Sequence, residues 1–132
     1  MHVIICLDAR NGVSFNKRRL SSDRVVTQRI IQDADGNVWM NHSSAKLFQE
    51  YSVCIDDNFL NLAKEGDTCF VESLECLECL PRIHMITLYR WNRHYPSDVR
   101  FPEDLLANWK RISVEEFPGN SHDKITQERY IL

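Results

Sequence analysis

Neither Gly-x-Gly-x-x-Gly nor Gly-x-x-x-x-Gly-Lys-Ser/Thr occurs in the chain, so the standard glycine loops that cradle nucleotide phosphates are absent. No His-x-His-x-Asp-His string occurs either, which counts against a binuclear metal hydrolase. No apolar run approaches the ~20 residues that a membrane-spanning helix needs. The stretch 1–7 is apolar but has no basic n-region and no small-residue cleavage site, so it is expected to be structure and not a signal peptide. Basic residues are not in excess: 16 Lys and Arg stand against 19 Asp and Glu, a formal net charge of −3. That balance argues against a general nucleic-acid or membrane-surface partner. Repeats, low-complexity tracts and linkers are missing too. Five cysteines, an odd number without a secretion signal, point to reduced thiols and a cytoplasmic protein.

What remains is an ordinary globular composition, 43% hydrophobic and 27% charged over 132 residues. That length predicts one domain, 1–132, able to bury a core without disulfides or metals. "HVIICLD" reads as a buried strand. "SSDRVVTQRIIQDADG" opens on cap-type residues, spaces Val25, Val26, Ile30 and Ile31 like one helical face, and stops at Asp35-Gly36. "NVWMN" is a short strand. "SSAKLFQEY" is a short helix with Ser43 or Ser44 as N-cap, "SVCI" a strand, and "DDNFLNLAKEG" a helix with an Asp cap and a terminal Gly. "TCFVE" is a strand, "SLECLECL" a helix ended by Pro81, and "RIHMITLYRW" the longest strand candidate. "WKRISVEEF" and "KITQERYIL" are two final strands joined by Pro-Gly-Asn. Alternating β and α units predict an α/β fold: a mostly parallel central sheet, helices on both faces, and a C-terminal antiparallel hairpin at its edge.

Between the first strand and first helix runs "CLDARNGVSFNKRRLSSDR", 6–24. A connection needs two to five residues, whereas about a dozen are spent here, and long loops in compact domains more often mark a site. The basic triple Lys17-Arg18-Arg19 next to the helix start suits a phosphate or carboxylate, or else is a solvated loop. Asp23 reads as a helix cap, or as a buried carboxylate for a flat amidine-like edge.

These residues resemble the dihydrofolate reductases. That family begins with a strand, an Asp near its end, a Gly-containing loop, and a helix starting Leu-Pro-x-Asp; here stand Asp8, Gly12, Leu20 and Asp23. "TLYRWNRHYPSDVRFPEDLLANW" is similar to the family's strand, acidic linker, Phe-Pro pair and Trp before the penultimate strand. The Pro-Gly-Asn-Ser-His turn falls at its last hairpin loop. The chain is shorter than the family's usual size, the missing length falling after "SSAKLFQEY".

The resemblance implies that Asp23 hydrogen-bonds a pteridine ring, as the catalytic carboxylate, and that Tyr89 stands where the family has the Thr that partners it. It also implies an NADPH site with hydroxyls at a helix start, matched by Ser43 and Ser44. The family's glycine pair for the diphosphate is replaced here by Val71-Glu72, and its Gly-Arg-x-Thr is missing. The expectation is therefore a small-molecule binding protein for a pteridine- or nucleotide-like ligand, with Lys17, Arg18, Arg19 and Tyr89 at the ligand and no NADPH cofactor. One alternative is a divergent NADPH-dependent reductase. Another is a non-enzymatic homodimer in which a second copy covers an edge of the shortened sheet.

Other constellations are weaker. Cys76-x-x-Cys79 with His84 and His94 lacks zinc spacing, since nine residues separate the histidines, so no metal is expected and the cysteines read as core. "YRWNRHY" interleaves Arg90 and Arg93 with Trp91 and Tyr95, as base-stacking surfaces do, but the acidic charge favours a covered sheet edge over nucleic acid.

Overall fold

The computed structural model describes residues 1–34 and 37–132. β1 (His2–Leu7) alternates its side chains between two cores: Val3, Ile5 and Leu7 point to one face and Ile4 to the other. β2 (Gly12–Phe15) and β3 (Arg18–Arg19) follow as a hairpin, then α1 (Arg24–Asp33). β4 (Val38–Met40), α2 (His42–Ala45), a 3₁₀ turn (Lys46–Phe48), β5 (Cys54–Ile55) and α3 (Phe59–Leu62) lead to β6 (Thr68–Val71). A 3₁₀ stretch (Glu75–Arg82) precedes β7 (Met85–Arg90); β8 (Val99–Arg100), a 3₁₀ turn (Glu103–Leu106), β9 (Lys110–Phe117) and β10 (Ile125–Ile131) complete the chain.

Seven strands form one sheet in the order β5-β4-β6-β1-β7-β10-β9. The first five run parallel, and β10 is antiparallel to both β7 and β9, as the hairpin expectation has it. On one face Val26 and Ile30 of α1, with Phe48, pack on Ile4, Phe70 and Tyr89. On the other, Phe59 of α3 and Cys76 of the 3₁₀ stretch pack on Val3, Val71 and Leu88. The sheet is thus covered on both sides, which its parallel part requires. β9 is an outer strand, with Ile112 and Val114 45% and 49% exposed. It carries Lys110, Arg111, Glu115, Glu116 and a bulge opposite Arg129 and Tyr130, devices that discourage edge-to-edge pairing.

Several local expectations are corrected. The long loop contains the β2–β3 hairpin, and with β8 it makes a second, three-stranded antiparallel sheet. Its turn is Asn16-Lys17, both left-handed at φ 51° and 62°, the type I′ geometry that matches strand twist but normally calls for Gly. Asn41, not Ser43 or Ser44, caps α2 by accepting from the Ser44 N–H. α3 is four residues long, with no side-chain cap bond, and Gly66 lies beyond it. "SLECLECL" forms 3₁₀ turns that run past Pro81, and β9, not β7, is the longest strand. The expected helix stop at Asp35-Gly36 lies outside the described residues; α1 ends at Asp33.

Candidate functional site

Asp23 is the N-cap of α1: its backbone is extended (φ −151°, ψ 133°) and Oδ1 accepts from the Val25 N–H at 2.9 Å. The rest of the carboxylate is taken up by the β9–β10 turn. Oδ1 also accepts from the Asn120 N–H at 2.9 Å, and Oδ2 from the Ser121 N–H at 2.9 Å, the Ser121 hydroxyl at 3.2 Å and His122 Nδ1 at 2.9 Å. The Asp23 side chain is 0% exposed and that of His122 2%. The imidazole stacks on Trp91, centroids 4.6 Å apart at 22°. A flat N–H-bearing ring therefore already lies on Asp23, and it belongs to the chain itself. The enclosed cavity beside it, among Cys6, Ser21, Val26, Phe70 and Trp91, is about 20 Å³, room for one water and not for a bicyclic ring. An open surface pocket of about 240 Å³ borders Asp23 from the side of Thr27, Lys46 and Tyr51, but the carboxylate oxygens are already taken by the turn.

Burial by itself would raise the Asp23 pKa; the bonds from Asn120, His122, Ser121 and Val25 outweigh it and hold the carboxyl well below its usual range. With the folded-state value depressed, the unfolded chain takes up a proton first as the pH falls. The stability Asp23 contributes is then complete above the ordinary Asp value of about 3.9 and is lost progressively below it. Urea midpoints compared at pH 7 and pH 3 are expected to fall, and to fall less in Asp23→Asn, where this group no longer titrates.

Tyr89 does not reach the ligand cleft that the resemblance implies. It is 0% exposed beneath the far end of α1, where Gln127 Nε2 donates to its hydroxyl at 2.8 Å and Phe117 meets it edge-on. Trp91, beyond it along the same line of the fold, approaches His122 above Asp23 instead.

Lys17, Arg18, Arg19, Ser43 and Ser44 do come together. They border a cleft of about 740 Å³ between the β2–β3 hairpin and the carboxyl ends of β4 and β6, shared with Glu72 and Glu75. Glu72 is its fixed point: Arg19 donates Nε to Oε2 at 2.8 Å and Nη2 to Oε1 at 3.0 Å, and the Ser44 hydroxyl donates to Oε1 at 2.7 Å. The Glu72 hydrogen bond in turn raises the Arg19 pKa. Arg19 Nη2 also donates to the Ser43 carbonyl, so this one guanidinium ties the hairpin to both strand ends. Lys17 and Arg18 are exposed and make no ion pair among the described residues.

The diphosphate cradle implied by the resemblance does not fit these residues. Where the glycine pair would let a diphosphate meet bare backbone, Val71 is 2% exposed in the core and Glu72 presents a carboxylate held in place from two sides.

The five cysteines are free. Burial pushes the Cys76 thiol up to about 12, consistent with an inert core residue, and the described residues hold no group of three or more His, Cys, Asp and Glu fit for a metal. Among the described residues, no helix is long and apolar enough to cross a membrane.

His122, Tyr95 and Trp91 are the site residues that sequence reasoning missed as participants. The turn was visible as Pro-Gly-Asn-Ser-His, but nothing local signals that it closes over a carboxylate 99 positions earlier.

The sequence matches no family profile and no curated protein. Among solved structures, the chain is similar to a dihydrofolate reductase from Enterococcus faecalis complexed with NADP(H) and RAB-propyl, at a TM-score of 0.71 and 10% identity, covering 98% of this chain and 94% of that one. At that identity the likeness concerns architecture, and it agrees with the strand order and the antiparallel end of the sheet. This chain has the dihydrofolate reductase fold, in a divergent form.

Proposed function

We propose that the protein binds a small anionic, nucleotide-like molecule in the 740 Å³ cleft, on a dihydrofolate-reductase-like fold that has given up the family's diphosphate cradle. The observation that carries this reading is the hairpin turn. It holds Lys17 and Arg18, both without an ion-pair partner among the described residues, over a cleft at the carboxyl ends of parallel strands, where α/β sheets bind ligands. Lys17 sits at φ 62°, a conformation that costs of order 1 kcal/mol in a non-glycine residue and that clusters at functional sites. A pteridine on Asp23 is disfavoured by the closed turn above it, which leaves the cationic cleft for the ligand.

Calorimetric titration with AMP, NADPH and dihydrofolate tests this. A phosphate-bearing ligand is expected to bind, with affinity falling as salt rises. Arg18→Glu is expected to weaken it at least tenfold. Lys17→Gly relieves the left-handed strain while removing a charge, so melting temperature is expected to hold or rise while affinity falls. Binding of dihydrofolate alone, unaffected by either substitution, would overturn the reading.

A further inference from the structure

We propose that Ser21, His122 and Asp23 form a nucleophile, base and orienting carboxylate that hydrolyse a small ester bearing an anionic group. His122 Nδ1 lies 2.9 Å from Asp23 Oδ2, and Nε2 lies 3.0 Å from Ser21 Oγ. An ionised Asp23 only accepts, so Nδ1 carries the imidazole proton and Nε2 presents its lone pair to Ser21. The Tyr95 hydroxyl completes a three-way contact, 3.2 Å from His122 Nε2 and 3.3 Å from Ser21 Oγ; with Tyr95 donating to Ser21 Oγ, the serine's own proton is left for Nε2. The base is held rigidly by the Trp91 stack and the carboxylate by four further hydrogen bonds, the supporting shell such a relay needs.

Ser21 is half-buried and lines the 20 Å³ cavity; its neighbours Leu20 and Tyr95 border a groove of about 610 Å³ with Phe15, Arg18, Arg19 and Pro96, the approach from which a substrate carbonyl would reach Ser21. This groove shares Arg18 and Arg19 with the proposed ligand cleft. Phe15, Leu20 and Pro96 suit an apolar acyl or alcohol part, and Arg18 suits a carboxylate or phosphate on the substrate. In the reaction, Ser21 Oγ bonds to the carbonyl carbon while its proton passes to His122 Nε2. The Tyr95 hydroxyl beside it is the donor available to the developing oxyanion. Collapse breaks the bond to the alcohol oxygen, which leaves with the proton from Nε2. Water then adds to the acyl-serine, giving a proton to Nε2; the carboxylic acid departs and Ser21 recovers its proton.

The test is labelling of the folded protein with an alkyl fluorophosphonate, read by peptide mass spectrometry, beside hydrolysis of p-nitrophenyl acetate. The expected result is one adduct, on Ser21, with both adduct and hydrolysis lost in Ser21→Ala. Because changes at His122 also loosen the turn, the base is read separately. The Ser21→Cys thiol is expected to react with iodoacetamide at pH 6 at least tenfold faster in the folded protein than in urea, as a thiol beside an imidazole base does. No adduct on Ser21, adducts only elsewhere, or a Ser21→Cys thiol no faster folded than unfolded would each overturn the proposal and leave a purely structural hydrogen-bond chain.

Discussion

Asp23→Asn is expected to destabilise the protein by about 3 kcal/mol, the range for breaking a buried, charge-assisted network by removing one partner. For a chain of this length that is a fall of order 10 °C in melting temperature. The reason is the polarity of the site. All five groups aimed at Asp23 are donors: three backbone N–H groups, the Ser121 hydroxyl and His122 Nδ1. An amide keeps one acceptor oxygen and turns the other position into an NH₂, so whichever way it is placed, a donor faces donors. The reading of Asp23 as a ligand carboxylate implies the opposite outcome, a loss of ligand binding with stability almost untouched. A melting temperature within 2 °C of the parent would show that the β9–β10 turn does not depend on this carboxylate.

The succession of strands and helices along the chain is legible because it is written locally. β1, β6 and β7 are apolar runs, and Val26 and Ile30 mark the buried stripe of α1. The β2–β3 hairpin was not, because its type I′ turn is Asn16-Lys17, without the glycine by which such turns are recognised. The 3₁₀ stretch around Pro81 is indistinguishable from α-helix in the sequence because Cys76, Leu77 and Leu80 suit either period over so short a span. The site divides in the same way. Lys17, Arg18 and Arg19 were legible as a charge run, and Ser43 and Ser44 as hydroxyls near a helix start. The pairing of Arg19 with Glu72, 53 positions apart, and of Asp23 with His122, 99 apart, is set by the meeting of loops at one end of the sheet. No local pattern encodes such a meeting. Likeness to the family puts Tyr89 in the place of a Thr at the ligand; its bulk is instead accommodated in the core beside Phe117.

Gly119→Ala is the second large effect, about 2 kcal/mol of destabilisation. A Cβ there would lie 2.5 Å from Asp23 Oδ2, 2.7 Å from Ile125 Cδ1 and 3.0 Å from the His122 carbonyl oxygen. None of the three gives way easily: Asp23 is pinned by five hydrogen bonds, Ile125 is 0% exposed, and the His122 carbonyl accepts from the Gly119 N–H at 2.9 Å to close the turn. Overpacking of a site that cannot relax costs of this order. Gly66 supplies the control, since it has φ 91° and nothing within 4 Å of a built Cβ, so Gly66→Ala is expected to cost about 1 kcal/mol through backbone conformation alone. The two glycines respond differently to a change at Asp23. In the Asp23→Asn background the clamp against which the Gly119 methyl collides is already loosened, so the double variant is expected to be less destabilised than the sum of the singles by 0.5 kcal/mol or more. Gly66→Ala and Asp23→Asn have no shared partner and are expected to add. Strict additivity in the Gly119 cycle, measured by urea unfolding, would mean that the methyl and the carboxylate act on separate parts of the turn.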